Sequence, residues 1–525
     1  MKTALPSRQL SNYQFPVYRW IGWLAVAGFA IGLTVMFFIS GMFGIPAPLG
    51  WAFLVIVVVF GAMLLDRPRL LLVCMLFYFL LMPRNRLLGL VWVPLPGFID
   101  ELFFLPFIAV IVMNWIQRRQ LKEATFFPVV FCLVAALSWY VNGKPSVFTS
   151  VQVTLVSLKF YILWYFCRLA TPFQDLHRLE RWTWAYIGYV ALQFVYNMLW
   201  QQGPWPKFHP DRSGGVMGPQ GSGPAHLIGY MCVFALFLLA GWWVSAGRTA
   251  TRRQRWAWWI CTVVIAYNLI FMTDTKHALV LCPLAFVPFL IHPRLPARLR
   301  AGLAAGGLMF ILAAVLYFQI AVGNFRIQAY ARSFWSSPKG QMLYAVTKDF
   351  PYLVRYPLLG AGPGLFTSNQ AIAGRTPLAR RYIIPFDDEQ RRLSYWGQSG
   401  NVTQASVLGA VRTDWFRVVG EFGWIGVVVF HGFLFWLAYR LYRKSWEWPL
   451  DNLVSGLYLG LSSCVIFLII ISFLCDAFTI PVMTFPLWVL IGCIWDMPPR
   501  ESSAGEARAG AAAAGPAGRR ERTHG

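Results

Sequence analysis

Runs of about 20 apolar residues recur along almost the whole chain, the length one helix needs to cross a lipid bilayer. The composition agrees: 58% of the 525 residues are hydrophobic and only 13% are charged, where a soluble domain carries about 25% charge. Mean hydropathy is +0.55. The first run, residues 20–43, exceeds a signal-peptide core and no small-residue cleavage site follows it, so it reads as the first span.

The runs place spans near 20–43, 46–65, 69–83, 102–116, 126–141, 150–167, 183–200, 225–246, 256–273, 277–291, 301–322, 415–439, 453–475 and 477–495. Several are short, so the expectation is an all-α polytopic membrane protein of about 12–14 helices. Cations concentrate in alternate loops, including Arg67/Arg69, Arg118/Arg119/Lys122, Arg248/Arg252/Arg253/Arg255 and Arg440/Arg443/Lys444. The positive-inside rule then puts both termini in the cytoplasm. Residues 1–19 form the N-terminal segment, 20–322 a helix bundle, 323–411 one large loop on the far side, and 412–496 the last helices. The tail 497–525 is Ala/Gly/Arg-rich without aromatics and reads as disordered.

The net charge is +24. Most cations sit in short inter-span loops, which argues against a nucleic-acid partner. The loop 323–411 is the exception, with ten Lys/Arg against four acids on the side where cations are usually scarce. An anionic substrate accounts for that excess. Aromatics interleaved with the cations (Phe325, Tyr330, Phe334, Trp335, Tyr344, Phe350, Tyr352 and Trp396) suit stacking on sugar rings. The plainer alternative is an amphipathic cap on the membrane. None of the nine cysteines lies in this loop and none forms a CxxC pair, so neither a disulfide framework nor a zinc site is expected. Asp387-Asp388-Glu389 beside Arg391/Arg392 reads as a salt-bridged patch rather than a metal site.

Three further segments could carry chemistry. His209 to Gly221 is glycine-rich and holds Arg212, whose guanidinium can grip a phosphate in two places; a flexible turn is the alternative. Thr273-Asp274-Thr275-Lys276-His277 squeezes three ionisable groups between two spans, either as a polar site or as snorkelling side chains. Where the loop re-enters the membrane, Arg417 and Glu421 stand four apart and could pair on one helix face, or Asp414 and Glu421 could serve as bases. Gly360-Ala361-Gly362-Pro363-Gly364 lacks a following GK[ST] and reads as a turn.

Together these motifs resemble the O-antigen ligase/polymerase superfamily, the Wzy-type polysaccharide polymerases and lipid A-core ligases of bacterial inner membranes. Arg212 to Pro219 resembles its arginine–glycine–proline loop, and Thr273-Asp274-Thr275-Lys276 its T-x-S-R segment. Tyr356 to Phe366 resembles its P-L-x-G-x-G signature, and Glu421-Phe422-Gly423-Trp424-Ile425-Gly426 its E-x-G-x-x-G opening. Two departures stand out. Lys276 replaces an arginine, keeping charge but losing the fork. Arg412 stands where ligases carry a histidine.

The resemblance implies a GT-C-like architecture in the inner membrane with 323–411 in the periplasm. It implies joining of undecaprenyl-diphosphate-linked oligosaccharides into O-antigen, capsule or exopolysaccharide. Arg212, Lys276 and Arg326, Arg332 or Lys339 would hold the diphosphate, and Asp414, with Arg412 nearby, would act on the acceptor hydroxyl. No cofactor or metal is expected. Partners would be membrane lipid, the lipid-linked glycan, and a chain-length regulator and flippase of the same pathway. The alternatives are a ligase acting on lipid A-core or protein, and a flippase that makes no bond.

Overall fold

The computed structural model describes residues 68–81, 86–87, 91–92, 104, 106–112, 125–142, 146–170, 176–202, 215–217, 222–247, 249–273, 275–321, 335, 337–385, 412–478 and 480–497. Of the expected spans, 20–43 and 46–65 lie outside them.

The longer helices are α1 Pro68–Leu81, α2 Phe126–Val141, α3 Val147–Ala170, α4 Leu176–Tyr196, α5 Ser222–Ala246 and α6 Arg252–Tyr267. They are followed by α7 Lys276–Ala285, α8 Val287–Ile291 and α9 Ala297–Ala321. The polar stretch contributes α10 Pro338–Tyr344, α11 Phe350–Leu353, α12 Asn369–Ala373 and α13 Pro377–Tyr382. Then come α14 Asp414–Lys444, α15 Leu453–Ser472 and α16 Pro481–Trp495. Strand pairing among the described residues is confined to two dipeptides, with Arg86 opposite Trp92.

Among the described residues, five helices are long and apolar enough to cross a membrane: Val147–Leu169, Ala225–Ala246, Arg252–Met272, Asp414–Lys444 and Leu453–Ser472. Large apolar side chains on α2, α6 and α9 (Leu133, Trp256, Leu312) are exposed, as suits helices whose solvent is lipid. The expected span 277–291 is broken at Phe286. Pro283 and Pro288 each remove an amide from the ladder there.

The central pair is α5 against α15. A side chain on Gly241 would run into the Gly456 carbonyl, and one on Gly456 into the Gly241 carbonyl. Small residues at facing positions let two backbones close up, and in lipid that van der Waals contact drives helix association. α16 packs on α3 in the same way through Gly492, which lies on the Trp164 carbonyl and Cys167.

The helix α14 is two pieces. Its 31 residues would span about 46 Å if straight, well beyond a 30 Å hydrocarbon layer. At Gly423 φ is +72°, and the chain bends between a short segment of about two and a half turns and a membrane-length helix. The described part of the polar stretch, 337–385, folds onto that first segment. Met342, Val346, Phe350, Phe366 and Ile383 bury a small core with Phe416 and Val419. The polar stretch is therefore tied to the bundle by its own hydrophobic contacts.

Candidate polar site at one end of the bundle

Two of the sequence motifs interlock. The Ala361 amide donates to the Gly420 carbonyl (2.7 Å), and the Gly362 amide to that of Glu421 (3.2 Å). The Glu421 carboxylate accepts from the amides of Gly364 (3.1 Å), Phe366 (3.4 Å) and Ser368 (2.8 Å). Gly360 and Gly423 both take positive φ and lie so close that neither tolerates a β-carbon. The 360–364 segment is thus a turn wrapped on a buried carboxylate, and Glu421 holds structure. The expected Arg417–Glu421 pair is replaced by a closer one: Arg417 Nη2 donates to Asp414 Oδ1 at 2.9 Å. Glu421 reaches instead for three amides that have few other acceptors.

The other two motifs are also joined. Asn197, in the π-helical turn ending α4, donates to Asn268 Oδ1 (2.9 Å) and accepts from the Gly215 amide (2.8 Å). Gln193 Oε1 accepts from Val216 N (3.0 Å). Asn268 opens the π-helical turn that leads into Thr273, and π-turns frequently mark functional sites. Buried Asn197 therefore binds the glycine-rich segment to the segment before α7.

These motifs meet at the end of the bundle where α5, α7 and α14 begin and α15 finishes. Tyr230 and His277 Nε2 share a 2.5 Å hydrogen bond, and His226 lies edge-on to His277 at 4.8 Å. The Tyr230 hydroxyl also bonds the Cys475 thiol, and burial pushes that thiol up to about 12. Lys339, on α10, is 2% exposed and donates to the Leu474 carbonyl at 2.6 Å. Its charge is felt at His277. Burial pushes the Lys339 amine down to about 7, with nearby Cys475 opposing the shift, because a charge out of water favours its neutral form.

Asp414 completes the cluster. It is fully buried, with Oδ2 accepting from Phe478 N (2.9 Å), its own amide bonded to the Cys475 carbonyl (3.3 Å), and its carboxyl meeting that of Asp476. Arg412 precedes α14 and donates to Asn369 Oδ1 at 2.9 Å. Of the expected diphosphate ligands, Lys339 stands inside the cluster and Lys276 begins α7 beside His277; Arg212, Arg326 and Arg332 lie outside the described residues. Of the loop aromatics, Phe350 and Phe366 are core, while Trp335, Tyr344 and Tyr352 are exposed. His226, Tyr230 and Asp476 were not expected. A lone acid closing an apolar run is the signal that could have found Asp476.

Among the described residues no group of three or more His, Cys, Asp or Glu is placed to hold a metal. A separate apolar cleft of about 220 Å³ opens between α1, α4 and α16, lined by Leu76, Tyr186, Tyr189 and Pro486. Without a charged lining it suits an acyl chain rather than a sugar. No protein-family model matches the chain, and no curated protein matches it.

Proposed function

We propose that this chain is a multi-pass glycosyltransferase of the bacterial inner membrane, of GT-C-like architecture, with both termini cytoplasmic and residues 323–411 periplasmic. On this reading it joins undecaprenyl-diphosphate-linked oligosaccharide repeat units. One observation carries the proposal: Lys339, from the polar stretch, is buried among helix ends, bonded to the Leu474 carbonyl and close to His277 and to Cys475, which Asp414 also meets.

A lipid diphosphate is already an activated leaving group. The protein must stabilise the departing charge and align an acceptor hydroxyl. Lys339 and Lys276, with Arg212 and Arg326 or Arg332, supply positive charge for the first task. The carboxyl pair Asp414–Asp476 serves the second, with Arg412 two residues ahead of Asp414 in the chain. Burial of Lys339 favours this use, since an anion brought against the amine restores its full charge.

The test is reconstitution in vesicles with lipid-diphosphate oligosaccharide extracted from host membranes. Wild-type protein should yield products of two or more repeats. Lys339→Ala should lower the joining rate about 100-fold or more, the scale of losing one charge-stabilising donor, while still accumulating in the membrane. Transfer of the carrier across the bilayer with no repeat ever joined would overturn the reading in favour of a flippase.

A further inference from the structure

We infer that Asp476 is the residue that takes the proton from the acceptor hydroxyl, with Asp414 as its positioning partner. This rests on the group-transfer reading above. Residues 474–478 form the turn between α15 and α16, and each neighbouring element grips it. Lys339 Nζ holds the Leu474 carbonyl, Tyr230 meets the Cys475 thiol, the Asp414 amide holds the Cys475 carbonyl, and Asp414 Oδ2 accepts from Phe478 N. A turn this constrained fixes the side chain it carries, as a catalytic group requires.

The two carboxyls differ in what they can reach. Asp414 has no exposed surface; one oxygen pairs with Arg417 and the other with a backbone amide. Asp476 is half-buried where Asp414 is fully enclosed, with its Oδ1 itself covered, so of the two it is the member nearer the surface from which a substrate approaches. The two carboxyls lie against each other. Arg417 stands against the pair, bonded to Asp414 through Nη2 and with its Nε buried and unpartnered. Glu421 is ruled out as the base by its three amides.

The step balances. The acceptor oxygen forms a bond to the anomeric carbon of the donor sugar. The carbon–oxygen bond to the diphosphate breaks, and its electron pair leaves with the lipid diphosphate. The hydroxyl proton passes to the Asp476 carboxylate and from there to water. Arg417 on α14 acts on the pair directly, and Cys475 on the same turn faces both carboxyls; Lys339 on α10 and Tyr230 on α5 meet Cys475 from neighbouring elements, and His277 on α7, with His226 on α5 against it, lies behind Tyr230 and Lys339.

The experiment compares full-length wild type, Asp476→Asn and Asp476→Glu in vesicles, using lipid-diphosphate oligosaccharide from host membranes, across pH. Asp476→Asn should lose about 100-fold or more in turnover, the low end for a general base being 10². Its half-saturating donor concentration should change little, and the fall in rate on the acid side should vanish. Asp476→Glu should keep measurable turnover with a displaced acid limb. A wild-type rate and acid limb in Asp476→Asn would overturn the assignment and leave the joining reaction standing. Wild-type protein that joins nothing would overturn the reading beneath it. Should Asp476→Asn not accumulate, Asp476→Glu decides alone: a displaced limb supports the assignment and an unmoved one overturns it.

Discussion

Both ends of the bundle bury cations, and they treat them differently. Where α3, α14 and α16 finish, Arg168 donates from Nε and Nη2 to the two oxygens of Asp496 (3.0 and 2.8 Å) and lies over the rings of Trp164 and Trp495. Lys444 donates to the Trp495 carbonyl (2.6 Å) and sits above the same ring. Charge there is answered by opposite charge in two-point geometry and by aromatic faces. At the other end Arg417 pairs with Asp414, yet like groups also meet there: Asp414 lies against Asp476 and His226 against His277, while Lys339 bonds a carbonyl. Like groups crowded in a buried site compete for the same counter-charge, which raises the free energy of the folded state. A fold keeps such an arrangement where the groups are used. The first end reads as a clamp and the second as a site.

The largest test of that contrast asks whether every acid at the polar end is poised. Glu421 should not be. Glu421→Ala strips the acceptor from three buried amides, and at about 1–3 kcal/mol for each unpaired group the loss should approach 4 kcal/mol or more. Little protein should accumulate, and what does should lose the docking of 360–368 on α14, seen as new protease cleavage there. If Glu421→Ala instead accumulates normally and only joining is lost, Glu421 belongs with the reacting groups and the contrast must be redrawn.

Next is the clamp. Arg168→Leu leaves the Asp496 carboxylate without its fork. Breaking a buried pair costs about 3–5 kcal/mol; Asp496 is 34% exposed, so about 2–3 kcal/mol is expected here. Tm in detergent should fall, and adding Asp496→Leu should recover part of the loss. The rate of joining per folded molecule should stay near wild type. A variant with unchanged Tm and lost joining would break the assignment of this end as structural.

Much of the helical framework was legible because lipid fixes the length of an apolar run, and residues 126–141, 225–246 and 453–475 fall close to the observed helices. The bend in α14 was not, because Gly423 takes positive φ only on account of the Leu358–Gly360 backbone lying against it. That contact joins residues more than 60 positions apart in the chain, which no local pattern encodes. The motifs were visible singly, whereas their partners were not: Glu421 was expected to face Arg417 because helix spacing is local, and it turned to amides 53 to 57 positions away. His226 and Tyr230 were hidden inside the apolar sequence of α5. Asp476 sat in what looked like a bare junction between two spans.

The smallest effect concerns Lys339 and separates burial from function. Its amine is held near 7 in the fold against an ordinary 10.5. The unfolded chain therefore binds more protons than the folded one between those values, and stability should rise with pH across that window. Below about 7 both states are protonated, and the fold carries the full cost of a buried cation. Lys339→Met removes the group, so its Tm relative to wild type should be highest near pH 6.5 and decline by pH 8.5. With Lys339 fully enclosed, the change in relative stability over those two units is about 1–2 kcal/mol. Adding inorganic diphosphate should raise the wild-type Tm at pH 6.5 and leave that of Lys339→Met unmoved. A pH-independent difference would mean that a counter-charge already answers Lys339, as Asp496 answers Arg168, and the two ends of the molecule would be alike.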